Sequence, residues 1–322
     1  MDFIQEMSER LKGNEKKIVF PEGGDVRVLW AAVKHAEEGL LHPIVIGKKA
    51  DIEAAAKEEG LDISKLDIVE PGNYEHEDEL VQKFVERRKG KIDEEGAKKK
   101  IQDPNYLGTM MVYAGYADGM VSGAEHTTGE TVLPALQIIK TKPGMSRVSG
   151  LFILLRGDER YFMADCAINT SMDTETMAEV AVATNVSAEQ FGVDPKIAML
   201  SFSTKGSAKS DTVTMVADAT NIVKEEHPDI KIDGELQFDA AFVPEVGKKK
   251  APDSDVAGQA NSFIFPNLEA GNIGYKIAQR FGGFKAIGPI LQGLNMPVND
   301  LSRGCNKEEV YELAIITAVQ AL

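Results

Sequence analysis

Ser302 and Arg303 stand side by side before Gly304, and Glu309 follows seven residues after the serine. A hydroxyl, a guanidinium and a flexible glycine just ahead of a helix suit an anion, because a helix start offers free N–H groups and a positive dipole end. Arginine adds a planar fork of donors that matches phosphate oxygens. Asn306 reads as the helix N-cap, with Glu309 three residues on as in a capping box. The same residues support a purely structural reading, in which Glu309 only closes the helix end and Ser302 only shapes a turn.

Two further loops carry polar groups at strand ends, where open α/β sheets bind ligands. Ser201-Phe-Ser-Thr-Lys-Gly-Ser-Ala-Lys-Ser-Asp211 brings Ser203, Thr204 and Lys205 to a helix start and resembles a phosphate cradle, although it lacks the nucleotide-loop pattern. Asp118-Gly-Met-Val-Ser-Gly-Ala-Glu-His-Thr-Thr128 contributes Ser122, Thr127 and Thr128, and holds His126, the one histidine in a candidate site loop. His35, His42, His76 and His227 read as solvated positions, and no metal site is expected. Cys166 reads as a small buried hydrophobe. Arg87, Arg88, Lys89 and Lys91 form a cationic run that is ordinarily a solvated helix face, from which one arginine can still reach a phosphate.

The elements that position these groups alternate between strand and helix. Apolar runs at 17–21, 43–47 and 66–70 alternate with helix-periodic stretches at 26–38 and 51–59, the pattern of a parallel sheet with crossover helices. Near residue 142 the pattern changes: 148–155 and 160–164 are close, strand-like and separated by Gly157-Asp158, as in an antiparallel hairpin. Further strands are expected at 197–202, 262–265 and 286–291, and helices at 174–191, 211–227 and 272–281. These predict an α/β protein of two domains, 1–144 with 288–322 and 145–287, flanking a cleft.

The length of 322 residues exceeds what one core usually fills. A net charge of −15 argues against a nucleic-acid or anionic-membrane partner, so an anionic substrate needs a local basic site. Two cysteines, far apart, make neither a disulfide framework nor a thiolate metal site. With no signal-like segment and no apolar run of about 20 residues, a cytoplasmic protein is expected.

The unbroken run Pro297-Val-Asn-Asp-Leu-Ser-Arg-Gly-Cys305 resembles the signature of phosphate acetyltransferases. Lys17-Ile-Val-Phe-Pro-Glu-Gly23, Phe84-Val-Glu-Arg-Arg-Lys-Gly-Lys91, Ala117-Asp-Gly-Met-Val-Ser-Gly123, Pro134-Ala-Leu-Gln-Ile-Ile-Lys-Thr141, Ala198-Met-Leu-Ser-Phe-Ser-Thr-Lys-Gly-Ser-Ala208 and Leu268-Glu-Ala-Gly-Asn-Ile-Gly-Tyr-Lys276 extend the resemblance along nearly the whole chain. It implies an isocitrate/isopropylmalate dehydrogenase-like fold and a homodimer. It also implies direct acetyl transfer between acetyl phosphate and coenzyme A in a ternary complex, with phosphate as the other product. Coenzyme A is then a substrate, with no permanently bound cofactor. The matching positions are Glu309 as base, Ser302 for orientation or the oxyanion, and Arg303 for developing charge. Arg88 matches a cation for a substrate phosphate, and Lys276 lies in a matching block.

Two departures stand out. Glu309 occupies a position where the family usually has Asp, and one extra methylene displaces a carboxylate by roughly an ångström. Leu133, in Thr131-Val-Leu-Pro-Ala-Leu136, replaces a usual Arg and removes one cationic contact. Alternatives are a butyryl-transferring sister enzyme, a catalytically weak relative, and an NAD-linked decarboxylating dehydrogenase. The last lacks support from any G-x-G-x-x-G after a strand or any aspartate cluster suited to Mg²⁺.

Overall fold

The structure is a computed structural model that describes residues 2–322. Its contacts divide the chain into two compact units: residues up to Lys142 together with Leu294–Leu322, and Pro143–Gly293. In chain order the strands are β1 (Lys16–Phe20), β2 (Leu41–Ile46), β3 (Asp67–Val69), β4 (Gly119–Ser122), β5 (Ser149–Arg156), β6 (Glu159–Ala164), β7 (Ile197–Leu200), β8 (Ile232–Leu236), β9 (Ser262–Ile264), β10 (Lys285–Gln292) and β11 (Val298–Asp300).

The first unit holds a five-stranded sheet in the order β11-β4-β1-β2-β3, every pair parallel. A parallel sheet covered on both faces needs nearly continuous apolar strands. All four residues of β4 are buried, as are Ile18, Val19 and Phe20 of β1. The second unit holds a six-stranded mixed sheet, β10-β5-β6-β9-β7-β8. Here β5 pairs antiparallel with β6 and β10, while β6, β9, β7 and β8 run parallel. The hairpin expected at 148–164 is therefore present. No helix among the described residues is long and apolar enough to cross a membrane.

Three features depart from the sequence expectation. The chain leaves the second unit after Gly293, not at 288, because β10 pairs with β5 as far as Gln292 opposite Ser149. The loop at 298–300 is strand β11, which lies beside β4 with Asp300 opposite Ser122. His35 is fully buried rather than solvated: its ring stacks on Tyr311 with centroids 4.1 Å apart, and Nε2 lies 3.0 Å from the Tyr311 carbonyl. Burial pushes its pKa down to about 3, so the ring is neutral in the core.

Candidate active site

Parallel pairing of β4 and β11 sets the carboxyl ends of both strands, and the loops leaving them, side by side. The Leu301 N–H donates to the Ser122 carbonyl at 2.7 Å, and the Thr128 hydroxyl donates to Asp300 Oδ2 at 2.7 Å. After Asp300 the chain turns outward: Ser302, Arg303 and Gly304 are exposed, and Cys305 is buried again. The Gly304 N–H donates to Ser302 Oγ at 3.3 Å.

Asn306 then caps the helix Lys307–Gln320. Its Oδ1 accepts from the Glu309 N–H at 2.8 Å, and Glu309 Oε2 accepts from the Asn306 N–H at 3.0 Å. The expected capping box is present, and Glu309 is half-buried. Thr127 caps the helix Thr128–Ile138 in a second capping box with Glu130. Ser122 is fully buried and donates to Asn105 Oδ1 at 2.7 Å, so it fixes the strand end and faces no solvent.

Three residues that sequence reasoning did not single out hold this arrangement. The fully buried Glu22 side chain accepts N–H bonds from Gly123, Ala124, Glu125 and His126 at 2.8–3.1 Å. It also lies 2.7 Å from His126 Nδ1. Burial acts to raise the Glu22 pKa, but these donors hold it below the usual carboxylate range. Arg27 pairs with both oxygens of Asp25 at 2.6 and 3.0 Å. It donates as well to the carbonyls of Ala124, Arg303 and Cys305 at 2.8–2.9 Å, tying the two loops together. Asp300 is buried with Oδ1 unpaired, and desolvation pushes its carboxyl up to about 6. Cys305 is a buried thiol pushed up to about 11, again chiefly by burial, so it is no ready thiolate.

Arg88 does not join this group. It lies at the other end of the Thr128–Ile138 helix, with Nη1 3.5 Å from the Gln137 carbonyl. Ten residues of helix separate Gln137 from Thr127, about 15 Å along the axis. Beside it Arg87 is no solvated cation: it donates to the Ile138 and Ile139 carbonyls at 2.6 and 3.0 Å, closing the helix C-terminus. Arg87 above all, with Lys89, Arg88 and Lys91, depresses the pKa of Lys140, so five cations gather there. Leu133, on the same helix, is 50% exposed.

The second unit places Ser203, Thr204 and Lys205 between β7 and the helix Asp211–Glu226, which Ser210 caps. Ser203 is fully buried and donates to Glu235 Oε1 at 2.9 Å, and the Thr204 hydroxyl accepts from the Gln237 N–H at 3.0 Å. Lys205 reaches Asp233 at 2.5 Å and the Gly234 carbonyl at 2.9 Å. Burial opposes ionisation of Asp233, yet Lys205 and Lys224 bring its pKa to about 2. These contacts close the loop on β8 and leave its side chains engaged within the unit. Lys276 is exposed on the helix Leu268–Arg280. Cys166 is buried, as expected. Among the described residues no cluster of three or more His, Cys, Asp or Glu is arranged to hold a metal.

An α/β scaffold that fixes Ser302, Arg303 and a half-buried Glu309 at the end of a parallel sheet has the equipment of a group-transfer enzyme acting on anions. The family model for phosphate acetyl/butaryl transferase matches residues 2–318. A phosphate acetyltransferase of Bacillus subtilis is 59% identical over 321 residues, covering 100% of this chain and 99% of the relative. A solved phosphotransacetylase from Staphylococcus aureus superposes with a TM-score of 0.95 at 56% identity, covering 100% of this chain and 98% of its own. One from Streptococcus pyogenes does so with a TM-score of 0.95 at 55% identity, covering 99% and 98%. The chain is an acyltransferase, and it belongs to the phosphate acetyl/butaryl transferase family.

Proposed function

We infer that this chain exchanges acetyl between acetyl phosphate and coenzyme A, releasing phosphate, by direct attack of the thiolate in a ternary complex. The observation that carries the reading is the juxtaposition of exposed Ser302 and Arg303 with Glu309 at the N-terminus of the next helix. Relatives above half identity bear the acetyl name, which favours acetyl over butyryl and over dehydrogenase chemistry. Glu309 takes the thiol proton, Ser302 orients the carbonyl or its oxyanion, and Arg303 meets the charge that develops as phosphate leaves. Arg88 sits at the C-terminal end of the Thr128–Ile138 helix, whose N-terminal end, through Thr128, meets Asp300 beside the Ser302–Arg303 loop. Arg88 is therefore assigned to a phosphate of coenzyme A, whose charged nucleotide end lies far from its sulfur. Ser203, Thr204 and Lys205 shape their loop in the conformation seen, and Lys276 remains a candidate substrate contact on the second unit. Thiol consumption with acetyl phosphate, butyryl phosphate and coenzyme A, with and without chelator, tests the reading. Loss with chelator, or no consumption at all, overturns it.

Leu133 supplies a second test. The family's usual arginine would offer an anionic substrate a charge-assisted bond of roughly 1.5–3 kcal/mol, or about 10- to 100-fold in kcat/KM. Its exposure leaves room for the longer side chain without burying a charge. Leu133→Arg is expected to fold normally and to raise kcat/KM for coenzyme A or acetyl phosphate, more at low salt than at high. A folded variant with no gain for either substrate removes this position from the anion site.

A homodimer is the assembly that best accounts for one face of the second unit. Ile273, Ile277 and Phe281 form a stripe along the helix Leu268–Arg280 and are 57%, 52% and 91% exposed, beside an apolar groove of about 500 Å³. Packing of this helix on a second copy about a two-fold axis would bury the stripe. Phe281→Asp is expected to give a monomer by sedimentation. An unchanged mass assigns the dimer to another face.

A further inference from the structure

We propose that His126, aimed by Glu22, is a phosphate-binding residue of the reaction centre, donating from Nε2 to the phosphoryl end of the acyl phosphate or to inorganic phosphate in the reverse direction. The proposal rests on the reading of the Ser302–Arg303 loop as that centre.

The first observation is the orientation of the ring. Four backbone N–H groups already bond the Glu22 carboxylate, so the strand-end loop is held without the imidazole. The contact at 2.7 Å adds direction: it turns Nδ1 to the buried carboxylate, which leaves Nε2 as the ring's other nitrogen, a donor when the ring is imidazolium. The His126 side chain is 26% exposed, whereas that of Glu22 is wholly buried. The pair is thus a reachable ring backed by an unreachable carboxylate.

The second observation is location. His126 directly precedes Thr127 and Thr128, and Thr128 is bonded to Asp300, two residues before Ser302. Arg27 joins the Ala124 carbonyl to those of Arg303 and Cys305. Glu130, on the first turn of the following helix, interacts electrostatically with both His126 and Arg303. The imidazole and the guanidinium therefore both lie within electrostatic reach of one carboxylate, on two loops that Arg27 ties together.

The third is charge. Glu22 above all, then Asp103 and Glu130, raise the His126 pKa against the effect of burial. Glu125 also interacts electrostatically with the ring, and with Asp25, Glu22 and Arg27. Such surroundings favour imidazolium, a cation with a donor on its outer nitrogen. No bond to the ring forms during transfer. As the carbonyl carbon–oxygen bond breaks and its electron pair passes to phosphate, the Nε2–H meets that charge, while the thiol proton goes to Glu309.

Two variants test this in the full-length protein. H126N keeps an amide donor toward Glu22 but has nothing at the Nε2 position, and H126Q carries a neutral donor near that position. The KM for acetyl phosphate and for phosphate is expected to rise about 10- to 100-fold in H126N, the size of a lost charged hydrogen bond. The KM for coenzyme A should stay within about twofold, and H126Q should recover part of the loss. In the unaltered protein the KM for acetyl phosphate should climb as pH rises through the imidazole range, and this climb should be absent in H126N. Unchanged KM values with an unchanged pH profile overturn the proposal. So does an equal rise for both substrates, which is what loosening of the loop alone would produce. If Arg303→Lys also leaves transfer unaffected, the assignment of the centre falls as well. A normal effect of Arg303→Lys beside an inert H126N overturns the histidine alone.

Discussion

Arg303→Lys is expected to lower kcat/KM about 100- to 1,000-fold while leaving the melting temperature unchanged. The charge is kept, but an ammonium is a compact point donor, and it cannot place two parallel N–H bonds on the oxygens of a departing phosphate. Removing one preorganised donor aimed at developing charge typically costs this much. The structure explains why the fold should not notice. The Arg303 side chain is exposed, and it is the backbone carbonyl that Arg27 binds at 2.9 Å. Arg27 holds the neighbouring Cys305 carbonyl in the same way, so the loop keeps its course whatever the side chain at 303. The loss should appear mainly in kcat if the guanidinium meets charge present only in the transition state, and mainly in KM if it binds the ground-state phosphate. Turnover near that of the unaltered protein in Arg303→Lys would sink the assignment of this residue.

The parts of this site written in contiguous residues were legible in the sequence. The run at 297–305 and the Asn306–Glu309 cap are local patterns, and the structure realises the cap with two reciprocal bonds. What could not be read depends on partners far along the chain. Glu22 bonds amides more than 100 residues away, and Arg27 bonds the carbonyl of Arg303, 276 residues away. Backbone amides and carbonyls carry no residue-type signal, so neither role leaves a trace in composition or spacing. Only the tertiary neighbourhood of the turn after β1 shows that Glu22 is buried among N–H groups.

The loop at 201–211 shows the converse: its donors are plain in the sequence, but the partners they meet are not. Its hydroxyls and Lys205 are taken up by Asp233, Glu235 and Gln237, which lie on or next to β8. That strand reads Ile-Asp-Gly-Glu-Leu, too polar to be recognised as buried, although Ile232, Asp233, Glu235 and Leu236 all are. Its acidic residues are tolerated because hydroxyl, amide and ammonium groups from that loop meet them. Because β8 was not legible in the sequence, neither were the partners that these lysine and serine groups meet within the unit. His35 went the same way: a polar residue in a charged helix whose inner face packs on Tyr311.

Glu309→Gln separates the two readings of the site's remaining side chain. The capping bond needs only an oxygen that can accept from the Asn306 N–H, now 3.0 Å from Oε2, and the glutamine amide oxygen supplies one. Stability should therefore be nearly unchanged. Proton abstraction needs a basic oxygen, which the amide lacks, so kcat should fall about 100- to 10,000-fold if Glu309 is the base. A thiol holds its proton more tightly than a carboxylic acid does, so proton transfer and thiol attack must be concerted. That requirement makes pH a sharper test than one rate. Without the carboxylate, only thiol already ionised in solution can react, and the rate of Glu309→Gln should climb about tenfold per pH unit until it levels near 8.5. The unaltered protein should show no such climb over the same range. Glu309→Asp should keep the flat profile at a lowered rate, since the carboxylate survives but is set back by roughly an ångström. If Glu309→Gln instead loses stability in step with activity, or keeps both, the carboxylate does no more than close the helix, and another group takes the proton from the thiol.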